Sequence, residues 1–158
     1  EVGAPEPPCP PYEGLFRPEE SRTSLMMEIA EFYRHFGLQT NQAEGKGELP
    51  DHLCSELEFL HFLTYKEAQA RNDNDAELLN GYILAQKDFL ERHPLKWLAA
   101  FAAKLEKCST IPFYATLGRI TAEFVSCDYA HVAEYLYNSA TFQDRTHRAP
   151  NGFMQVPG

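Results

Sequence analysis

The spacing of apolar residues constrains this chain more than any other feature. Hydrophobic side chains recur at intervals of three and four along most of the sequence, the period that lines up one face of an α-helix. Leu25, Ile29, Phe32 and Phe36 form a first stripe. Gly37, just beyond it, suits the left-handed conformation that commonly ends a helix. A second stripe begins around Asp51 and carries Leu53, Leu57, Leu60 and Thr64, widened by Phe59, Phe62 and Leu63. Asp73 and Asp75 precede a third, with Leu78, Tyr82, Ala85 and Phe89 flanked by Leu79, Ile83 and Leu90. After Pro94 come Leu95, Leu98, Ala102 and Leu105, with Trp97 and Phe101 beside them. Pro112 opens a fifth helix on Phe113, Leu117, Ile120 and Phe124, and a shorter sixth spans about 128–138 on Val132, Tyr135 and Leu136. No segment alternates with period two, and no fixed repeat is visible. The expected fold is therefore all-α, a single-domain helical bundle. Phe32, Tyr33, Phe59, Phe62, Trp97, Phe101, Phe113 and Tyr114 are expected mostly in its core.

The ends of the chain read differently. Five prolines fall within residues 1–11, and proline removes a backbone donor and fixes φ, so this stretch is expected to be extended unless something holds it. Residues 12–138 make up the helical domain, interrupted by a polar loop over 38–50 that contains Gly45 and Gly47. Beyond residue 138 the apolar periodicity stops, and Pro150, Gly152, Pro157 and Gly158 predict an extended C-terminal tail over 139–158.

Charge and motifs narrow the function classes. The 158 residues carry 23 acidic and 14 basic side chains, a net charge of −9, which argues against nucleic acid because phosphate binding depends on Lys and Arg. The same balance would suit a cationic partner, but from charge alone the preferred reading is that acidity keeps the protein in solution. No apolar run approaches the roughly 18 residues of a membrane span. Cys9, Cys54, Cys108 and Cys127 are widely spaced without a C-x-x-C pair, which fits reduced thiols and a cytoplasmic location. The phosphate-binding G-x-x-x-x-G-K-[ST] loop, the G-x-G-x-x-G and G-x-S-x-G turns, and the H-E-x-x-H zinc signature are all missing.

The densest polar group is Glu48, Asp51, His52, Glu56, Glu58 and His61. One reading is a small metal-dependent enzyme using His52, Glu56 and Glu58 as nitrogen and oxygen ligands. Against it, His52 and His61 stand nine residues apart, about 14 Å along a helix axis. The other reading is structural: Asp51 caps free backbone N–H groups at a helix start and His52 bonds a neighbouring loop.

The order of short motifs adds specificity. The chain reads Tyr12-Glu13-Gly14-Leu15-Phe16-Arg17-Pro18, then Glu48-Leu49-Pro50-Asp51-His52-Leu53 and Glu56-Leu57-Glu58-Phe59. Later come His93-Pro94-Leu95-Lys96-Trp97-Leu98 and Pro112-Phe113-Tyr114-Ala115-Thr116-Leu117. Over about residues 12–145 this resembles the TorD/DmsD/NarJ family of redox-enzyme maturation chaperones, in the subgroup that serves type II molybdoenzymes of the DMSO-reductase family. The resemblance implies an all-helical cytoplasmic protein that is not an enzyme and holds no metal or cofactor of its own. It implies a chaperone that binds the twin-arginine leader and the apoprotein of a molybdoenzyme catalytic subunit, assists insertion of the molybdenum cofactor and delays export through the Tat system. It also implies a monomer or a domain-swapped dimer. The family's P-D-H loop falls on Pro50, Asp51 and His52, with Glu48 at its acidic position, and the Y-x-x-L-F element falls on Tyr12, Leu15 and Phe16. These seven residues are the expected client-binding site. In it, Asp51 and Glu48 hold leader arginines; the alternative makes Asp51 and His52 a brace for the loop.

Overall fold

A computed structural model describes residues 8–38 and 48–147, and helices carry most of them. The helices are α1 (Arg22–His35), α2 (Leu53–Asn72), α3 (Ala76–Arg92), α4 (Pro94–Cys108) and α5 (Pro112–His147). A single 3-10 turn, Glu13–Leu15, precedes them. The described residues contain no strand; an isolated antiparallel bridge joins Tyr12 to His52. The all-α bundle read from the periodicity is thus the observed architecture.

Local chemistry sets the helix ends. The Ser21 side chain accepts from the Ser24 N–H at the start of α1, and Gly37, at φ 75°, closes that helix. The Asp75 carboxylate accepts from the Leu78 N–H at 3.0 Å and starts α3. Asp73 instead ends α2, and Asn74 takes φ 56° to turn the chain back. Pro94 and Pro112 each open a helix at the position where a missing N–H costs nothing. Most of the expected 38–50 loop, residues 39–47 with Gly45 and Gly47, lies outside the described residues.

Leu25, Ile29, Leu63, Phe89, Leu90 and Trp97 are almost completely buried and knit α1 to α4. Aromatic rings meet edge to face across the helices: Phe59 and Phe89 at 4.7 Å, Phe32 and Phe89 at 5.2 Å. Such pairs add about 0.5–1.5 kcal/mol beyond the area they bury.

Two helices are rotated from the face that periodicity predicts. In α2 the buried side chains are Glu56, Phe59, Leu60, Leu63 and Ala70, while Thr64 is exposed. In α3 they are Ile83, Gln86, Phe89 and Leu90, while Leu78 is exposed. Each true face contains a buried polar residue, Glu56 or Gln86, which a count of apolar side chains passes over.

α5 departs further from expectation. The fifth and sixth helices are one helix of 36 residues, about 54 Å long at 1.5 Å per residue. Residues 139–147 continue it instead of forming an extended tail; 148–158 lie outside the described residues. The Ser139 and Thr141 hydroxyls donate to the carbonyls of Tyr135 and Asn138, so these polar residues are absorbed into the helix instead of ending it. The expected core stripe of Phe113, Leu117, Ile120 and Phe124 is exposed, and Tyr114 with it. The seam packed inward is Ala115, Gly118, Ala122, Val125 and Val132. A Cβ at Gly118 would meet Leu105 Cδ2 at 2.9 Å, so a larger residue there makes the Leu105 side chain give way. Close approach of α5 to α4 demands small residues, and a pattern weighted by large apolar side chains therefore selects the wrong face.

Leu63→Ala is expected to cost about 2–5 kcal/mol of stability by opening a cavity in the core. Leu117→Ala, on the exposed face of α5, is expected to stay within about 0.5 kcal/mol of the parent. Urea unfolding of the two variants checks both values.

Candidate functional site

The segment from Tyr12 to Pro18 has little regular structure of its own and is held from outside. The start of α2 supplies the first attachment. The Leu53 N–H donates to the Pro11 carbonyl at 2.9 Å and the Glu13 N–H to the Asp51 carbonyl at 2.8 Å. These bonds also hold the end of the proline-rich stretch, whose Cys9 is buried in the core. The Tyr12 ring stands edge-on to His52 with centroids 4.9 Å apart, and its hydroxyl donates to Glu48 Oε2 at 3.2 Å.

The Asp51 side chain supplies the second attachment. Its carboxylate is fully buried, and Oδ2 accepts from the Gly14 N–H at 3.3 Å and from Arg22 Nε at 3.1 Å. Gly14 is needed at this point: a Cβ there would stand 2.6 Å from Arg22 Cγ and 3.1 Å from Asp51 Oδ2. The third attachment is apolar. Phe16 packs on Trp97 and Phe101 of α4, both at 5.6 Å between centroids, with the Lys104 ammonium 5.4 Å from its ring.

Beneath this turn lies a buried polar network. The Glu13 carboxylate, with no exposure, pairs with the Arg17 guanidinium and with His93 Nδ1 at 3.1 Å. Arg17 also donates to the Arg92 carbonyl at 2.8 Å. His93 occupies the joint between α3 and α4, where the following proline ends one helix and opens the next. Glu56 accepts from the Trp97 indole N–H at 3.1 Å. Burial pushes the Glu56 carboxyl well above the usual range and the charge of Glu13 pushes it further, while the indole bond pulls it down. Tyr33, also buried, donates its hydroxyl to the Pro50 carbonyl at 3.0 Å. Burial raises the Tyr33 phenol, and the nearby carboxylates of Glu56, Glu13 and Asp51 add to the rise.

Tyr12, Pro50, Asp51 and His52 therefore stand together, and Glu48 joins them through the Tyr12 hydroxyl and lies 3.9 Å from His52 Nε2. Leu15 is exposed on the same turn from which Phe16 packs inward. The cap of α2 is His52 and not Asp51: His52 Nδ1 accepts from the Cys54 N–H at 3.2 Å. The proposed metal ligands do not converge. Glu56 is enclosed in the core against Trp97 while Glu58 is exposed, and no group of three His, Cys, Asp or Glu able to hold a metal exists among the described residues. Glu13, Arg17, Arg22 and His93 went unassigned in the sequence although three of them sit inside its quoted motifs. Their signal is a polar side chain set between hydrophobic anchors in a short segment.

A model described as the nitrate reductase delta subunit matches residues 2–103, which contain every member of this arrangement. The chain belongs to that family. It is 40% identical over 137 residues to the perchlorate reductase assembly chaperone protein of Dechloromonas aromatica, a match covering 87% of this chain and 58% of the relative. It is 38% identical to the chlorate reductase assembly chaperone protein of Ideonella dechloratans, over 84% of this chain and 65% of the relative. It is also 38% identical to the selenate reductase assembly chaperone protein of Thauera selenatis, over 78% and 61%. The chain thus spans about three fifths of the length of these relatives. No solved structure matches it.

Two outcomes are expected from the geometry. Asp51→Ala leaves the Gly14 N–H and the Arg22 guanidinium without their acceptor and should cost about 1–3 kcal/mol, read from chemical unfolding. Glu56 gives the second. The unfolded chain loses this proton near the ordinary 4.5, the folded chain only at higher pH. Stability from this group is full below that value and declines as the pH rises toward the folded value. Glu56→Gln keeps an acceptor for Trp97 and has no proton to hold. The variant should match the parent near about pH 4 and exceed it near about pH 8 when both are unfolded in urea across that range.

Proposed function

We propose that this chain acts as a client-specific assembly chaperone for a molybdoenzyme of the DMSO-reductase family, working in the cytoplasm and without catalysis of its own. The observation that carries the reading is the coincidence of two things. The family match over residues 2–103 contains every residue of the Tyr12–His52 arrangement, and the chain's relatives include named assembly chaperones for perchlorate, chlorate and selenate reductases. The client is the catalytic subunit, bound through its twin-arginine leader and held until its molybdenum cofactor is inserted, with export delayed meanwhile.

The chemistry of the surface supports this assignment. A leader combines guanidinium groups with an apolar stretch, so its receptor needs carboxylates beside apolar surface. Glu48 is the exposed carboxylate here, with Tyr12, His52 and the exposed Leu15 around it. Asp51 is already engaged by Arg22 and Gly14 and serves as the brace beneath the contact. Glu48 takes the leader arginine; Pro50 and Phe16 fix the loop and turn that present it.

Calorimetric titration with a twin-arginine leader peptide tests the assignment, using the same peptide with its paired arginines changed to alanine as control. The parent chain should bind the leader and bind the control at least tenfold more weakly, a loss of about 1.4 kcal/mol. Glu48→Gln should reproduce that loss at unchanged melting temperature. Asp51→Ala should lower the melting temperature first. A control that binds as well as the leader would remove the arginine contact from the proposal.

A further inference from the structure

Cys9 and Cys108 are remote in sequence and adjacent in the fold. Cys9 is 7% exposed and belongs to the hydrophobic core, and Cys108, partly buried at the last position of α4, packs against the same cluster. The two thiols stand side by side, close enough for one to hydrogen-bond the other. Cys54 on α2 and Cys127 on α5 are exposed instead.

Both sulfurs are carried on backbone that is held in place. Pro8, Pro10 and Pro11 fix φ on either side of Cys9. The Tyr12 N–H donates to the Pro10 carbonyl at 3.0 Å and the Leu53 N–H to the Pro11 carbonyl at 2.9 Å. Cys108 belongs to the last turn of α4, with its thiol 3.9 Å from the Leu105 carbonyl. Thiols presented to each other by fixed backbone react as an intramolecular pair, at a far higher effective concentration than thiols meeting in solution.

The surroundings also order the two sulfurs. Burial and the neighbouring Cys108 hold the Cys9 thiol above its ordinary pKa, while the Lys104 ammonium acts the other way. Cys9 is therefore shielded and protonated. Cys108 is partly exposed, one turn beyond Lys104 on the same helix, and is the thiol that a reagent from solution reaches first.

We propose that Cys9 and Cys108 are a thiol–disulfide couple whose closed form ties the N-terminal segment to the end of α4. The oxidant is a small-molecule disulfide. The Cys108 thiolate attacks one of its sulfurs, forms a mixed disulfide and releases one reduced thiol. The Cys9 sulfur then attacks the Cys108 sulfur and expels the second. Two protein thiols are oxidised, one reagent disulfide is reduced, and the two protons end on the released thiols. Cys9 directly precedes the proline pair that leads into Tyr12, so closure restrains the turn described above; the couple itself does not depend on the chaperone reading.

Equilibrating the full chain in glutathione buffers of graded oxidised-to-reduced ratio tests the couple, with acid quenching, alkylation and peptide mass mapping. A fragment joining Cys9 to Cys108 should appear as the ratio rises and disappear with dithiothreitol. The closed form should melt several degrees above the reduced form, because the bond closes a loop of about 100 residues. Hydrogen exchange at the Glu13 and Leu53 amides, whose bonds hold the segment, should slow at least tenfold on closure. Cys9→Ser should stop at a lasting Cys108–glutathione adduct, and Cys108→Ser should leave Cys9 unmodified in the folded chain. The parent chain decides the matter without either variant. The couple is overturned if Cys54 and Cys127 take up glutathione while Cys9 and Cys108 stay reduced, or if Cys108 keeps its adduct with Cys9 intact beside it. If the bond forms and exchange at Glu13 and Leu53 does not slow, the tie to the N-terminal segment is overturned.

Discussion

A carboxylate in a protein interior costs free energy unless partners or a raised pKa relieve it, and this fold buries Glu13 and Glu56 completely. Glu13 pairs with Arg17 and His93; Glu56, whose carboxyl is pushed up by burial, accepts from the Trp97 indole N–H. These groups come from the N-terminal turn, α2, the α3–α4 joint and α4. Their pairing therefore ties four separate parts of the chain together, while Glu56 Oε1 and His93 Nε2 keep no hydrogen-bond partner. Removing any one of them would strand a buried polar group elsewhere in the set. That set of buried pairings gives a short, weakly structured N-terminal segment a defined position.

The arrangement divides labour between layers. Asp51, Glu13 and Glu56 lie inside and hold the turn; Glu48 and Leu15 lie outside and remain available. Acidic residues close together in sequence therefore have different roles, decided by whether an internal arginine reaches them. Arg22 reaches Asp51, so Asp51 is spent on the fold. Between α1 and α3 the same logic appears at the surface, where Arg92 pairs with Glu28 and Asp88 over the Phe32 ring.

How much of this was legible in the sequence depended on the length scale of each signal. The helices were legible because the 3.6-residue period repeats over many residues and averages out single exceptions. Their faces were less so. Glu56 and Gln86 are buried polar residues, and they turned the true faces of α2 and α3 away from the apolar count. On α5, Gly118 and its small neighbours form the packed seam while Phe113, Leu117, Ile120 and Phe124 stay exposed. The grouping of Tyr12 with Pro50, Asp51 and His52 was legible from motif order. The partners of Asp51 and Glu13 were not, since Arg22 and His93 lie 29 and 80 residues away from them.

By itself, the sequence determined the helical class, the helix ends marked by Gly37, Asp75, Pro94 and Pro112, and the short motifs that carry the family. Each of these depends on interactions among residues a few positions apart, which a linear pattern records. Only the tertiary structure decided which face of each helix is buried, and that Asp51 is buried against Arg22 while Glu48 is exposed. Those outcomes depend on which distant side chains arrive at the same point in space. Burial and ion pairing act through space, and their energies are set after the helices have packed.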